Sequence, residues 1–184
     1  AEKDPIRGED SFASFEEVFQ IALAEKADMV LLAGDLFHDN KPSRKSLHRA
    51  MEIMRDHCFG DRSVQIEVVS DQGSNFHSKY HSVNFEDPNY NVQLPVFSIH
   101  GNHDDPAGDG GLAPLDLLSS ANLINYFGRA GNFEKISISP VLIRKGETKL
   151  ALYGLGHVRD ERLGRCFDRK DVKVARPVEQ RDEW

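Results

Sequence analysis

Leu94-Pro95-Val96-Phe97-Ser98-Ile99 runs directly into His100-Gly101-Asn102-His103-Asp104-Asp105. The first six residues form a short apolar run of the kind that makes a buried strand. The run ends in a glycine turn, and side chains able to bind metal or move protons follow at once. An amide, carboxylates and imidazoles crowded at the carboxyl end of a strand make a poor core and a good metal or phosphate site. An earlier stretch repeats the arrangement: Asp28-Met29-Val30-Leu31-Leu32-Ala33-Gly34, then Asp35-Leu36-Phe37-His38-Asp39-Asn40. The two lie about a βαβ unit apart.

Working outward, Ser11 is expected to cap a helix reaching Lys26, with Phe12, Phe15, Val18, Phe19 and Leu23 at helical spacing. The strand 28–33 is continuously apolar and reads as buried on both faces. Pro42 and Ser43 open a second helix to Cys58, with Leu47, Ala50, Met51 and Met54 on one side. Residues 61–94 interrupt the alternation. Val64–Val69 suggests a strand, and the remainder is a long polar stretch carrying Phe76, Tyr80, Phe85 and Tyr90, too aromatic for a linker. Farther on, a short helix is expected near 113–120, one strand over Ile136–Ile143, a turn at Lys145-Gly146-Glu147 and a buried strand over Leu150–Gly156. A charged helix is expected from Arg159 to Lys170, with no regular structure from Pro177 to Trp184. Helices alternating with buried strands predict an α/β layered domain with ligands at the strand ends.

The 184 residues suffice for one domain with a sizeable core, and no apolar run approaches the roughly 20 residues of a membrane helix. The first residues are charged and carry no signal-peptide pattern. Cys58 and Cys166 form no metal-ligand spacing, so free thiols in a reducing compartment are expected. A net charge of −7 argues against a dedicated DNA-binding domain, so any nucleic-acid contact must be local or metal-assisted. Lys41, Arg44, Lys45 and Arg49 beside the first loop are either a solvated helix face or a local phosphate-contacting patch.

Chemically, Asp35 has two oxygens and can bridge two divalent cations. Asn102 offers a neutral oxygen, and His103 can ligate or act as an acid. Two ions activate water and stabilise a leaving oxygen in phosphoester hydrolysis.

Gly34-Asp35 together with Gly101-Asn102-His103-Asp104 resembles the calcineurin-like metallophosphoesterase superfamily. The longer segments GDLFHDNKPSR (34–44), FSIHGNHDDPAG (97–108), VVSDQGSNF (68–76), ISPVLIRKGETKLALYGLG (138–156) and RDER (159–162) are similar to one branch of it. That branch is the eukaryotic double-strand-break repair nucleases of the meiotic-recombination-eleven family. The resemblance implies a layered metallophosphoesterase fold, a central β-sandwich flanked by helices. It implies that Asp35 bridges two Mn²⁺ ions and Asn102 ligates one. His103 would stabilise the transition state and protonate the leaving oxygen, with Asp104 as its orienting partner. The resemblance implies that His38 helps place the DNA backbone; Arg44 and Lys45, from the basic cluster beside the first loop, are the candidate phosphate contacts.

The family's metal site also takes an Asp-x-His, a lone His and a Gly-His-x-His. None is present, since Gly156-His157-Val158-Arg159 lacks the second histidine. The resemblance puts the first motif before Ala1 and the others after Trp184. The expectation is a middle part of a catalytic domain, incomplete at both ends, with an exposed sheet edge and no nuclease activity by itself. Implied partners are DNA ends, an SMC-like zinc-hook ATPase, nibrin through an insertion at 61–94, and a second copy through the helices 43–58 and 113–120; the implied location is the nucleus and chromosome. Two other functions stay open: a non-catalytic dimerisation and partner-binding module, and a phosphoprotein phosphatase. Leu36-Phe37-His38 and Asp104-Asp105 depart from the phosphatase pattern. His48, His57, His77 and His81 are expected on the surface or in packing, and His100 in a structural role.

Overall fold

The computed structural model describes residue 4, residues 6–107, 109–131 and 134–177, and residue 184. Most of the stretch expected to lack regular structure after Pro177 lies outside these residues.

Helix α1 spans Asp10–Ala24. Ser11 sits inside it and is not its cap. The backbone is already helical at Glu9 (φ −92°, ψ −12°), whose carbonyl accepts from Phe12 and Ala13. A cap needs a non-helical residue at the boundary, so the expected cap is displaced by the earlier start. Helix α2 spans Arg44–Cys58 and is capped as expected, the Ser43 hydroxyl accepting from the Ser46 N–H at 3.0 Å; the one-turn helix α3 spans Gln72–Asn75.

Strands β1 (Val30–Leu32), β3 (Val96–Ser98) and β4 (Asn125–Tyr126) form a parallel sheet in the order β1-β3-β4. Register pairs Val30 with Val96 and Phe97 with Asn125. The central strand β3 is buried at all three positions. β1 occupies the edge, and Leu31 is 49% exposed, so the expectation of burial on both faces fails there. β4 was not anticipated. It is two residues long and contains a buried Asn125, whose amide bonds Asn84 and the Val96 carbonyl.

Alternation along β3 divides the core. Val96 joins Phe19, Ile53, Met54, Leu115 and Leu118 on the face covered by α1, α2 and α4 (Pro114–Ser120). Phe97 faces the other way, onto Phe76, Phe127, Val141 and Ile143. Behind that face lies an antiparallel sheet of β2 (Glu67–Val68), β6 (Val141–Lys145) and β7 (Thr148–Leu152), in the order β2-β6-β7. Two sheets share one apolar layer with helices outside: the α/β layered architecture expected. The Lys145 ammonium, 2.8 Å from both oxygens of Asp28, ties the hairpin to the residues leading into β1.

Several strand boundaries need correction. The strand expected over Ile136–Ile143 is two strands, β5 (Ile136–Ile138) and β6, parted at Ser139-Pro140, where proline cannot continue a ladder. β5 pairs with β8 (Val172–Val174) beside helix α5 (Asp160–Asp168). The strand expected at Leu150–Gly156 lies at 148–152 and, as an edge, is half-exposed. Residues 61–94 are pinned by polar bonds. Ser70 holds Asn75, Asn75 reaches the Pro140 carbonyl, and Asn84 pairs with Asn125. Phe76 is core, whereas Tyr80 and Tyr90 are 61% and 41% exposed. Among the described residues no helix is long and apolar enough to cross a membrane.

Candidate metal centre

The loops after β1 and β3 leave the carboxyl ends of adjacent parallel strands and meet backbone to backbone. Gly34 has φ +102°, and a Cβ there would fall 2.7 Å from the Gly101 nitrogen. A Cβ on Gly101 would overlap the Asp35 carboxylate. Only glycine fits this contact, and it brings the two motifs together.

Asp35 follows in the left-handed region at φ +52°, which Asp tolerates better than most residues. Its N–H donates to Asp104 Oδ1 at 3.2 Å, and its own Oδ1 accepts from the His103 N–H at 2.9 Å. Asp35, Asn102, His103 and His38 all reach solvent. The His38 and His103 rings stack, centroids 4.9 Å apart. His103 Nδ1 lies 2.8 Å from the His38 carbonyl, which only accepts, so Nδ1 carries the proton and Nε2 is left for chemistry. A cleft of about 890 Å³ runs from Phe12 and Phe15 past Leu31 to Asp35, His38 and His103.

The expected pairing of Asp104 with His103 is not what the structure shows. Asp104 is fully buried, and its carboxylate accepts from the backbone N–H groups of Asp35, Phe37 and Gly101 (3.2, 3.4 and 2.7 Å). The His38 carbonyl takes the orienting place on His103. Asn40, which sequence reasoning left unassigned, donates its amide to the backbone carbonyl and, at 3.2 Å, the side chain of Asp105.

The remaining candidates separate in space. Lys45 is 2.6 Å from Glu9 and lies over the Phe12 ring, while Arg49 is shared between Glu16 and Glu52. Much of the basic patch is therefore neutralised across α1 and α2. Arg44 is exposed at the first turn of α2. His48 pairs with Glu52 and His57 with Glu16, while His77 and His81 bond backbone carbonyls. His100 is buried against Gly156 and bonded through Nδ1 to the Tyr126 hydroxyl at 2.6 Å. Burial pulls the His100 pKa below its ordinary value and pushes that of Tyr126 up. Both are neutral packing partners behind the loop.

Asp35 and Asn102 offer oxygen donors of the kind a hard divalent cation takes. Among the described residues no three His, Cys, Asp or Glu side chains are grouped to hold a metal. What is present fits one side of a metal centre.

Residues 4–178 match the calcineurin-like phosphoesterase family. The whole chain is 55% identical to the double-strand break repair protein MRE11 of Mus musculus and 54% identical to that of Homo sapiens, covering 26% of each. The protein of the same name from Arabidopsis thaliana is 55% identical over 170 residues, 90% of this chain and 24% of its own length. The chain thus spans about a quarter of the length of these curated relatives. A family match across nearly every residue, on a fold whose two glycine-turned loops meet at one sheet end, has a single reading: the chain belongs to the calcineurin-like phosphoesterase family.

Proposed function

We propose that the protein carrying this chain is a manganese-dependent DNA nuclease, an endonuclease and 3′–5′ exonuclease that hydrolyses phosphodiesters at double-strand breaks during repair and recombination. The relatives' shared name supports the biological setting. The observation that carries the chemistry is the contact between the two loops, which sets Asp35 of one beside the His103 backbone of the other. Asp35 and Asn102 would hold part of a two-Mn²⁺ centre, which supplies an activated water and offsets charge on the leaving oxygen. His103, its Nδ1 proton tied to the His38 carbonyl, presents Nε2 to the scissile phosphate; as an imidazolium it gives its Nε2 proton to the leaving oxygen and is left neutral with the Nδ1 proton in place. The His38 ring beside it positions the DNA backbone. Arg44 contacts phosphate, and Lys45, engaged by Glu9, contributes less.

The family resemblance supports the remaining assignments: DNA ends and an SMC-like zinc-hook ATPase as partners, a homodimer through α2 and α4, and the nucleus and chromosome as location. Exposed Tyr80 and Tyr90 support nibrin binding through 61–94. With two oxygen donors and no three-residue metal group among its described residues, the 184-residue segment is inactive alone. That observation also favours a second reading, a non-catalytic dimerisation and partner-binding module.

The test is cleavage of an end-labelled duplex by the full-length protein with Mn²⁺. His103→Asn should lower the rate by about a hundredfold or more while leaving DNA binding intact. Wild-type cleavage by His103→Asn would refute the assignment. Cleavage by the 184-residue segment would refute its inactivity, and a full-length protein that dimerises without cutting would establish the module.

A further inference from the structure

The bonds between the two loops form a reciprocal pattern. The Asp104 carboxylate, from the loop after β3, accepts from Asp35 and Phe37 in the loop after β1. The Asp35 carboxylate, from the loop after β1, accepts from His103 in the loop after β3. Each loop thus closes its aspartate on the other's backbone. Asp104 also bonds the Gly101 N–H of its own loop, at the point where Gly101 touches Gly34. The three bonds of this fully buried carboxylate all go to backbone N–H groups, those of Asp35, Phe37 and Gly101. Asn40 on Asp105 and His38 on His103 add cross-links at the outer side.

We infer that Asp104 is a positioning residue, a buried carboxylate that locks the two loops together and so sets which way Asp35 presents its oxygens to a divalent cation. It touches neither metal nor substrate. By accepting the Asp35 N–H it holds Asp35 at φ +52°, and in that conformation Asp35 Oδ1 accepts from the His103 N–H. The same carboxylate fixes Gly101, one residue before Asn102, so both oxygen donors depend on it. The loops are held to each other by their own hydrogen bonds. Buried partners that orient ligands in this way change metal affinity by about 10–100-fold when removed.

The inference concerns the same site as the metal reading above and rests on it for its consequence, though not for its geometry. The experiment uses the full-length protein and reads both separately. Backbone hydrogen exchange of peptides spanning 33–38 and 99–104 reports the lock without metal, and Mn²⁺ titration followed by electron paramagnetic resonance reports the consequence. Asp104→Ala should raise exchange in both peptides at least about tenfold and weaken Mn²⁺ binding about tenfold or more. Asp104→Asn keeps the side-chain shape and one acceptor, should lie between, and is the variant read if Asp104→Ala does not fold. Ile53→Val, in the helix-side core, matches a modest stability loss and should leave both readouts within twofold of the wild type. Unchanged exchange in the Asp104 variants, or loosening matched by Ile53→Val, overturns the lock. Raised exchange with Mn²⁺ affinity kept within twofold overturns the positioning role. If Asp35→Ala binds Mn²⁺ like the wild type, the metal reading falls, and the lock stands or falls on exchange alone.

Discussion

Gly156→Ala tests the packing behind the loop. A methyl at 156 would sit 2.5 Å from His100 Nδ1, and closer still to the rest of the ring edge, about 0.9 Å inside the 3.4 Å where ordinary contact begins. The backbone cannot yield, because the Gly156 N–H is bonded to the Gly128 carbonyl at 2.7 Å and the next N–H to the His100 carbonyl at 3.2 Å. The ring must move instead, and its 2.6 Å bond with the Tyr126 hydroxyl is broken. Overpacking of this kind costs about 1–3 kcal/mol, and a buried hydroxyl left unmatched costs about 1–3 kcal/mol more. A total near 3 kcal/mol is expected, read by urea unfolding of the 184-residue chain with circular dichroism. His100→Ala alone should cost about 2–4 kcal/mol, from the cavity and the stranded Tyr126 hydroxyl. In that background Gly156→Ala should cost almost nothing, since the methyl enters the space the ring has left. The double-mutant cycle should therefore show a coupling of about 2 kcal/mol or more. A single-variant cost below about 0.5 kcal/mol, or costs that add within about 0.5 kcal/mol, would refute the clash.

Two further outcomes follow from groups away from the site. Glu67 faces Arg144 across β2 and β6, and the Arg144 side-chain hydrogen bond holds its carboxyl below the ordinary 4.5. A lowered folded-state pKa gives stability that is present above the ordinary value and lost as pH falls through the folded value. The stability difference between wild type and Glu67→Gln should thus exist at neutral pH and vanish on acidification below 4.5; a difference that persists through the acid range argues against the pair. Burial pushes the Cys58 thiol up to about 12. In a Cys166→Ser background Cys58 should resist a disulfide reagent at neutral pH until urea unfolds the chain, and prompt labelling of the native protein would contradict its burial.

How much of this fold could be read in advance follows the range of each signal. α2 announced itself through Pro42-Ser43 and its apolar face, and β3 through an unbroken apolar run, because cap and burial are both written locally. β1 reads as apolar as β3, yet Leu31 is half in solvent. Hydropathy records what a strand could bury, and only sheet order decides which strand has a neighbour on each side. β4 was invisible because two residues have no period, and its Asn125 is tolerable in the core through the Val96 carbonyl and Asn84, the latter brought from the 61–94 segment. The aromatics of that segment divided by the same logic. Phe76 bridges to Phe127 and is lost from view, while Tyr80 stays outside and Tyr90, beside the Phe59 ring, is only partly covered.

Asp104 shows where local reading of the site stops. Its place next to His103 invites a carboxylate–imidazole pair, but successive residues of a tight loop point to different sides. The His103 ring goes outward to His38, and the Asp104 carboxylate goes inward to N–H groups 67 and 69 residues away. Side-chain chemistry nominates the partners, and loop contact distributes them. The contact itself did leave a trace in the sequence, in Gly34 and Gly101. Each begins its loop, and neither has room for a Cβ: Gly101 lies against Gly34, and Asp35, the residue after Gly34, lies against Gly101. Two glycines in matching places after two buried strands therefore argue for loops that touch. Once the loops touch, an aspartate next to one of the glycines has the other loop's N–H groups as its nearest donors. Asp104 accordingly goes to the backbone, and the carbonyl of His38 is left for His103.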